Sequence, residues 1–272
     1  MTGRMQGKKA VVVGAGQPEH DALGNGRAIS LLLAREGAEI VAVDREADRA
    51  EATVKLIESE GGTAHALVAN ILEPDDCDRL VNDAAEILGG IDAVVNVVGG
   101  SYGDADPLHL TPTDWQFIHD LNLRGTWLIS RAAVPHLEQR GGGAITNISS
   151  VGSRAPGGNF FGYSIAKAGV NALTHFLAVE YASLGIRCNV VLPSFILTPH
   201  SFEGLVRGGI AEDEDAIKEL AKRSVPLGRP GSAWDVANAV LFLSSDESSF
   251  ITGLEVPVDG GTLQIVGRYQ AR

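Results

Sequence analysis

Ala10-Val11-Val12-Val13-Gly14-Ala15-Gly16, with Gly24-Asn25-Gly26 a few residues later, is the stretch on which the fold turns. Four apolar residues in a row, three of them β-branched, read as a strand buried on both faces, as in a parallel sheet. Glycines end the run, and Gly24-Asn25-Gly26 opens a helical pattern over 26–36. Strand, glycine turn and helix in that order form the first βα unit of a doubly wound sheet. Backbone N–H groups and the positive helix end there receive a dinucleotide pyrophosphate. Glycine is needed because a Cβ would hold the phosphate away. Gly14, Gly16, Gly24, Asn25 and Gly26 are therefore candidate cofactor contacts. The spacing is irregular, with 17–23 inserted between Gly16 and Gly24. Alone, the cluster reads equally well as tight turns with no ligand.

Outward from this unit, short β-branched runs alternate with longer helical patterns. Strands are expected at 10–13, 39–43, 64–69, 91–98, 144–148, 187–192 and 254–258. Helices are expected at 26–36, 46–60, 74–88, 112–138, 161–184 and 232–245, several opening on punctuation such as Pro74 or Thr111-Pro112. This alternation predicts an α/β fold with a doubly wound, parallel, seven-stranded Rossmann-like sheet. No repeat, linker or low-complexity tract divides it, so residues 1–272 read as one dinucleotide-binding and catalytic domain. Only 194–231 breaks the rhythm, with Pro, Gly, His and an acidic run and no clear strand. Such an excursion reads as a lid or binding segment, or as a solvated helix pair.

Composition bounds the partners. A formal net charge of −12 argues against nucleic acid and anionic membrane surfaces. No apolar run reaches the ~18–20 residues of a membrane-spanning helix, and the first nine residues hold no secretory apolar region. Two cysteines, Cys77 and Cys188, cannot build a disulfide framework, which points to a reducing, cytoplasmic compartment. No metal-ligand spacing is found, so the expectation is no metal.

The second strand ends in Asp44, about twenty residues after the first helix begins. A carboxylate there accepts both ribose hydroxyls of an adenosine and repels a 2′-phosphate, favouring NAD over NADP. Arg45 beside it could serve that phosphate instead, and Asp44 could simply cap the next helix, so NADP is not excluded.

Tyr163 and Lys167 lie four apart in a helical stretch, hence on one face. Tyrosine is a poor base at its usual pKa near 10, and an adjacent ammonium favours the phenolate. The pair suits a general acid/base near neutral pH. By itself such a pair is common on surfaces. Here it follows Ile148-Ser149-Ser150 at the carboxyl end of a strand, where a doubly wound fold forms its ligand crevice.

Seven ordered motifs now stand in the chain: the Gly14/Gly24/Gly26 turn, Asn96-Val97-Val98-Gly99, Asn122 in Leu121-Asn122-Leu123-Arg124-Gly125, Ser150, Tyr163 to Lys167, Pro193 with Thr198, and Val258-Asp259-Gly260-Gly261. Together they resemble the short-chain dehydrogenase/reductases of the single-domain, roughly 250-residue type, over nearly the whole chain. The resemblance implies that Tyr163 exchanges the hydroxyl proton while hydride passes to or from a nicotinamide. Ser150 would hold the substrate oxygen, and Lys167 would bind the nicotinamide ribose and lower the Tyr163 pKa. Asn122 would hold a water behind the lysine. Ser149 is adjacent, but the family spacing favours Ser150. Pro193, Ile196 and Thr198 would hold the carboxamide, and Asn70, Ile71, Asn96 and Gly99 would line the cofactor groove. The pattern departs at Val13 for a threonine and at Asn96-Val97-Val98-Gly99 for two asparagines then Ala-Gly, two losses that offset each other because an apolar pair needs no hydrogen bond where a polar pair would. It also departs at Asn70 for an aspartate, at the insertion 17–23 and at Ser194 for a glycine.

By family geometry the substrate pocket is lined by 100–107, 151–161 and 195–225, with Tyr102, Asn159, Phe160, Phe161, Phe195, His200 and Phe202 contributing; Ser150, Phe160, Tyr163, Phe195 and Phe202 are the main candidates. An apolar, aromatic lining suits a hydrophobic or cyclic alcohol or ketone. The resemblance also implies a homotetramer built through the long helices. The expected function is an NAD-dependent interconversion of a secondary alcohol and a ketone. Its rivals are a 3-oxoacyl thioester reductase using NADPH and a redox-inactive dinucleotide-binding regulator.

Overall fold

The structure, a computed structural model, describes residues 3–157, 159–202 and 212–265. In chain order the first half runs β1 (Lys9–Val13), α1 (Asn25–Arg35), β2 (Glu39–Asp44), α2 (Ala47–Ser59), β3 (Thr63–Val68), α3 (Pro74–Leu88) and β4 (Ala93–Asn96). It continues with α4 (Pro112–His119), α5 (Gly125–Gln139), β5 (Gly143–Ile148), α6 (Phe161–Glu180), β6 (Ile186–Pro193) and β7 (Ile196–Leu197). The last elements are α7 (Glu214–Ser224), β8 (Gly231–Ser232), α8 (Ala233–Ser244) and β9 (Glu255–Val258). The main sheet has seven strands in the order β3-β2-β1-β4-β5-β6-β9, every pair parallel.

The two-residue period of a strand explains why the middles of β1 and β2 are apolar on both faces. Ala10, Val12, Ile40 and Ala42 join α1 and α8 in one core, through Ile29, Leu33, Val236 and Val240. Val11, Val13, Val41 and Val43 point the other way and meet α3 and α5 through Leu80, Val81, Ile129 and Leu137. Local chemistry sets the helix ends. Pro74 occupies the first turn of α3 and left-handed Gly89 closes it; Thr111 caps α4; Ser232 and Asp235 form a reciprocal capping box on α8.

The structure departs from the sequence reading in three places. The expected helix over 112–138 is interrupted between α4 and α5 by a π-helical turn, Asp120–Arg124. Side chains compete for the helical carbonyls there: Asn122 Nδ2 donates to Ile118 O at 2.9 Å and Thr126 Oγ1 to Asn122 O at 2.8 Å. The helix expected to 184 ends at Glu180, and a 3₁₀ turn leads to Gly185 in the left-handed region. The excursion 194–231 does hold a strand, β7, paired with β8, and a helix, α7, capped by Asp213. Residues 203–211 of the excursion, and the tail beyond 265, lie outside the described residues. Cys77 and Cys188 are unpaired and buried, and burial pushes their thiols up to about 11 and about 12.

Candidate active site

The site lies along the carboxyl edge of the central strands. After β1 the chain turns at Gly14, in the left-handed region at φ +91°. Gly26 is required by packing as well as by any ligand: a Cβ there would sit 1.9 Å from Gly14 O. Thr53 braces the turn from α2, donating to Ala15 O at 2.9 Å. Asn25 Oδ1, in the first turn of α1, is buried without a partner among the described residues.

The insertion 17–23 is a closed loop. The buried Gln17 side chain accepts from Gly24 N at 2.6 Å and donates to Ala22 O at 3.2 Å. His20 Nδ1 accepts from Ala22 N, and the His20 ring tilts against Phe202 with centroids 5.7 Å apart. The loop therefore reaches from the cofactor groove to the substrate segment. On the other side of that segment, His200 tilts against Tyr102 at 5.5 Å.

Asp44, at the end of β2, accepts from Gly16 N at 3.2 Å and Glu46 N at 3.1 Å. It does not cap α2, whose cap residue is Glu46. Arg45 is exposed and paired with Glu46 at 3.2 Å. Asn70 Oδ1 accepts from Leu72 N at 3.2 Å. Ile71 is buried where a Cβ on Gly125 would lie 2.6 Å from its Cδ1. Val13, Ile71 and Val98 line one small void, whereas Val97 packs against the core on the α1 and α8 side.

The Asn96 side chain turns its amide nitrogen into the core. Its Nδ2 donates to Ser130 Oγ at 3.1 Å and Asn147 Oδ1 at 2.8 Å, inside a buried network that continues to Thr174 on α6. A buried amide takes the partners the core offers. Gly99 does border the site: a Cβ on it would lie 2.6 Å from Asn122 Oδ1 and 2.7 Å from Lys167 Nζ. Asn122 clasps Gly100, accepting from its N at 3.0 Å and donating to its O at 2.8 Å. That clasp needs the π-helical turn, a feature that recurs at functional sites.

Ser150 and Ser149 divide their work. Ser149 Oγ is buried and donates to Lys167 O at 3.0 Å, tying β5 to α6. Ser150 Oγ accepts from Gly152 N at 3.1 Å and acts on the Tyr163 phenol in the direction that favours its phenolate. Lys167 is 2% exposed; its Nζ donates to Ile148 O at 2.9 Å and lies 5.6 Å from the Tyr163 ring centroid. The expected lowering of the tyrosine pKa is not what this arrangement gives. Burial pushes the Tyr163 phenol up to about 12, against the opposing bond from Ser150. Burial also pulls Lys167 down to about 8. Desolvation disfavours the charged form of each group.

Pro193 ends β6, and Thr198 is buried, its Oγ1 accepting from Ser201 N at 3.2 Å. Ile196 begins β7. Two of the aromatic candidates have neighbours away from Ser150 and Tyr163. Phe195 borders a cavity of about 270 Å³ with Val225, Leu227 and Val258, which Ser150 and Tyr163 do not line. Phe161 turns to Trp115, centroids 5.7 Å apart, in the packing between α4 and α6. Phe160 is half-buried beside the start of α6. Gln17 was not readable as a site residue: it follows a glycine turn and carries no spacing signal.

A family described as Enoyl-(Acyl carrier protein) reductase matches residues 22–262. A 7alpha-hydroxysteroid dehydrogenase of Clostridium sardiniense is 35% identical over 262 residues, covering 95% of this chain and 94% of that protein. A (3R)-3-hydroxyacyl-CoA dehydrogenase of Mus musculus is 36% identical over 266 residues, covering 95% and 97%. The crystal structure of carveol dehydrogenase from Mycobacterium avium in complex with NAD superposes with a TM-score of 0.89 at 31% identity, covering 97% of this chain and 100% of that one. A parallel seven-stranded sheet with a Ser-Tyr-Lys cluster at its carboxyl edge defines a dinucleotide-dependent oxidoreductase. The chain belongs to the short-chain dehydrogenase/reductase family. It acts on CH–OH donors with a nicotinamide dinucleotide.

Proposed function

We propose that the protein interconverts an apolar or cyclic secondary alcohol and its ketone with NAD, Tyr163 serving as general acid/base. The observation that carries this reading is the Ser150–Tyr163–Lys167 cluster, with the Lys167 ammonium 5.6 Å from the centroid of the Tyr163 ring and the Ser150 hydroxyl acting on the phenol. The groove fits a dinucleotide: Gly14, Gly16, Gly24 and Gly26 leave room at the helix end, and the orphaned Asn25 Oδ1 is a free acceptor beside it. When bound, that cofactor supplies or accepts the hydride. Ser150 keeps its hydroxyl proton free to donate, because Gly152 N occupies one lone pair. It holds the substrate oxygen next to the phenol. With a pKa of about 12, Tyr163 holds its proton at neutral pH and gives it to a ketone oxygen, so reduction is favoured there. Oxidation gains as pH rises. Lys167 anchors the helix and the nicotinamide ribose; Asn122, through Gly100, holds the loop beside them. Pro193, Ile196 and Thr198 form the carboxamide segment.

Asp44 supports NAD, because a carboxylate at the end of the second strand disfavours a 2′-phosphate, while Arg45 is paired with Glu46. On the substrate side, Phe202, Tyr102 and Phe160 are the apolar contacts. A homotetramer is supported by apolar side chains left open on the long helices: Phe176 (78% exposed) and Val179 (82%) on α6 and Trp127 on α5. Two unpaired cysteines support a cytoplasmic setting. Among the described residues no helix is long and apolar enough to cross a membrane. The hydroxyacyl-CoA relative keeps a thioester substrate as the second reading. A turnover screen with NADH and NADPH over cyclic, steroidal and terpenoid ketones and 3-oxoacyl thioesters tests the reading. Preference for a thioester with NADPH would replace it, and dinucleotide binding with no turnover would leave the regulator.

A further inference from the structure

The Tyr163 helix begins without a cap of its own. Its cap residue, Phe160, offers no side-chain acceptor, and no acidic residue occupies the first turn of α6. The first N–H groups of a helix need partners from outside it. Here Asp104, about sixty residues earlier in the chain, supplies them: Oδ1 accepts from Gly162 N at 2.9 Å and Oδ2 from Tyr163 N at 2.8 Å. We propose that Asp104 is a positioning residue for the reaction: it holds the backbone of Tyr163 and so sets where the phenol meets the substrate oxygen.

Several features show the contact to be built. Gly162 is buried, and a Cβ on it would come 3.0 Å from Leu110 and 3.3 Å from Asp104 Oδ1, so glycine admits the loop. Asp104 is itself held, its N donating to Ser101 O at 3.1 Å and its Oδ1 accepting also from Ala105 N at 2.9 Å. Gly103 before it takes φ +73°, and a Cβ there would meet Asp114. The same loop starts at Gly100, clasped by Asn122. One carboxylate therefore links the loop on the substrate side to the helix that carries Tyr163. Its charge also suits the positive end of that helix. Misplacing a reacting group by about 1 Å costs on the order of 10²-fold in rate.

The inference rests on the reading of Tyr163 as acid/base, and its test separates the two. Steady-state kinetics with NADH and a ketone that the wild type reduces are compared for wild type, Asp104→Asn and Asp104→Ala. Hydrogen exchange is measured at the Gly162 and Tyr163 amides, and NADH affinity by fluorescence. The expected kcat falls about tenfold in Asp104→Asn, which keeps one carbonyl acceptor, and up to about 10²-fold in Asp104→Ala. NADH affinity stays within about twofold, because the glycine turn and Asp44 are untouched, and both amides exchange faster. Full kcat with unchanged exchange in both variants overturns the proposal. So does an equal loss of kcat and NADH affinity, which marks general loosening. If the wild type turns over no ketone, the functional reading fails, while the exchange measurement still decides whether Asp104 holds the helix.

Discussion

Lys167 is a cation in the core, and replacing it by methionine tests the energetics of the site. Its ammonium is 2% exposed, with one protein acceptor, Ile148 O at 2.9 Å, and burial lowers its pKa from 10.5 to about 8. That lowering of about 2.5, at ~1.36 kcal/mol each, amounts to ~3 kcal/mol of folding energy withheld while the group is charged. Below pH 8 both folded and unfolded chains hold the proton, and the folded state bears the full cost. Between pH 8 and 10.5 the unfolded chain keeps the proton that the folded chain has lost, so stability rises with pH. Above 10.5 both are neutral and the cost is gone. Lys167→Met keeps the stem volume and removes the charge; it leaves Ile148 O unpaired at a pH-independent cost of ~1–3 kcal/mol. The assay is urea unfolding of both proteins from pH 7 to 10 at one fixed protein concentration. Wild-type stability minus that of the variant should climb by about 2–3 kcal/mol over this range. The cysteines, and Tyr163 with its higher pKa, contribute to both proteins and cancel. A difference that stays flat within about 0.5 kcal/mol would refute the claim that desolvation governs this lysine.

Three further outcomes follow from the cofactor groove. Gln17→Ala removes both bonds that close the inserted loop, and is expected to weaken NADH binding about tenfold by fluorescence titration, about 1.4 kcal/mol; unchanged affinity would detach the loop from the groove. Asp44→Ser removes the charge opposed to a 2′-phosphate and should move the NADH/NADPH affinity ratio at least tenfold toward NADPH, read by parallel titrations. Gly26→Ala drives a Cβ to 1.9 Å from Gly14 O and should cost about 3 kcal/mol or prevent folding, measured by thermal unfolding against wild type.

The fold was legible because parallel strands covered on both faces must be apolar at every position, as 10–13 and 40–43 are. Tyr163 and Lys167 were legible because a spacing of four in a helix is itself a statement about geometry. Ser150 needed its strand end as context. What escaped depends on contacts between distant parts of the chain. Nothing local tells Asn96 to turn into the core toward Asn147, or Phe195 to face the cavity beside Val258. Nothing links His20 to Phe202 across the chain, or Asp104 to the amide of Tyr163. The π-helical turn at Asn122 escaped because one extra residue in a long apolar helix leaves the pattern on either side intact. The upward push of burial on the Tyr163 phenol is not legible either, because a charge partner is visible in sequence and desolvation is not.

The central claim is that Tyr163 moves the proton in an NAD-linked reduction. Its most direct test compares wild type and Tyr163→Phe for NADH oxidation by one cyclic ketone that the wild type reduces, with NADH affinity measured on both. The account predicts equal NADH binding and a kcat at least 10²-fold lower in the variant, the usual contribution of a positioned acid. A variant that binds NADH normally and turns over within tenfold of wild type would contradict it.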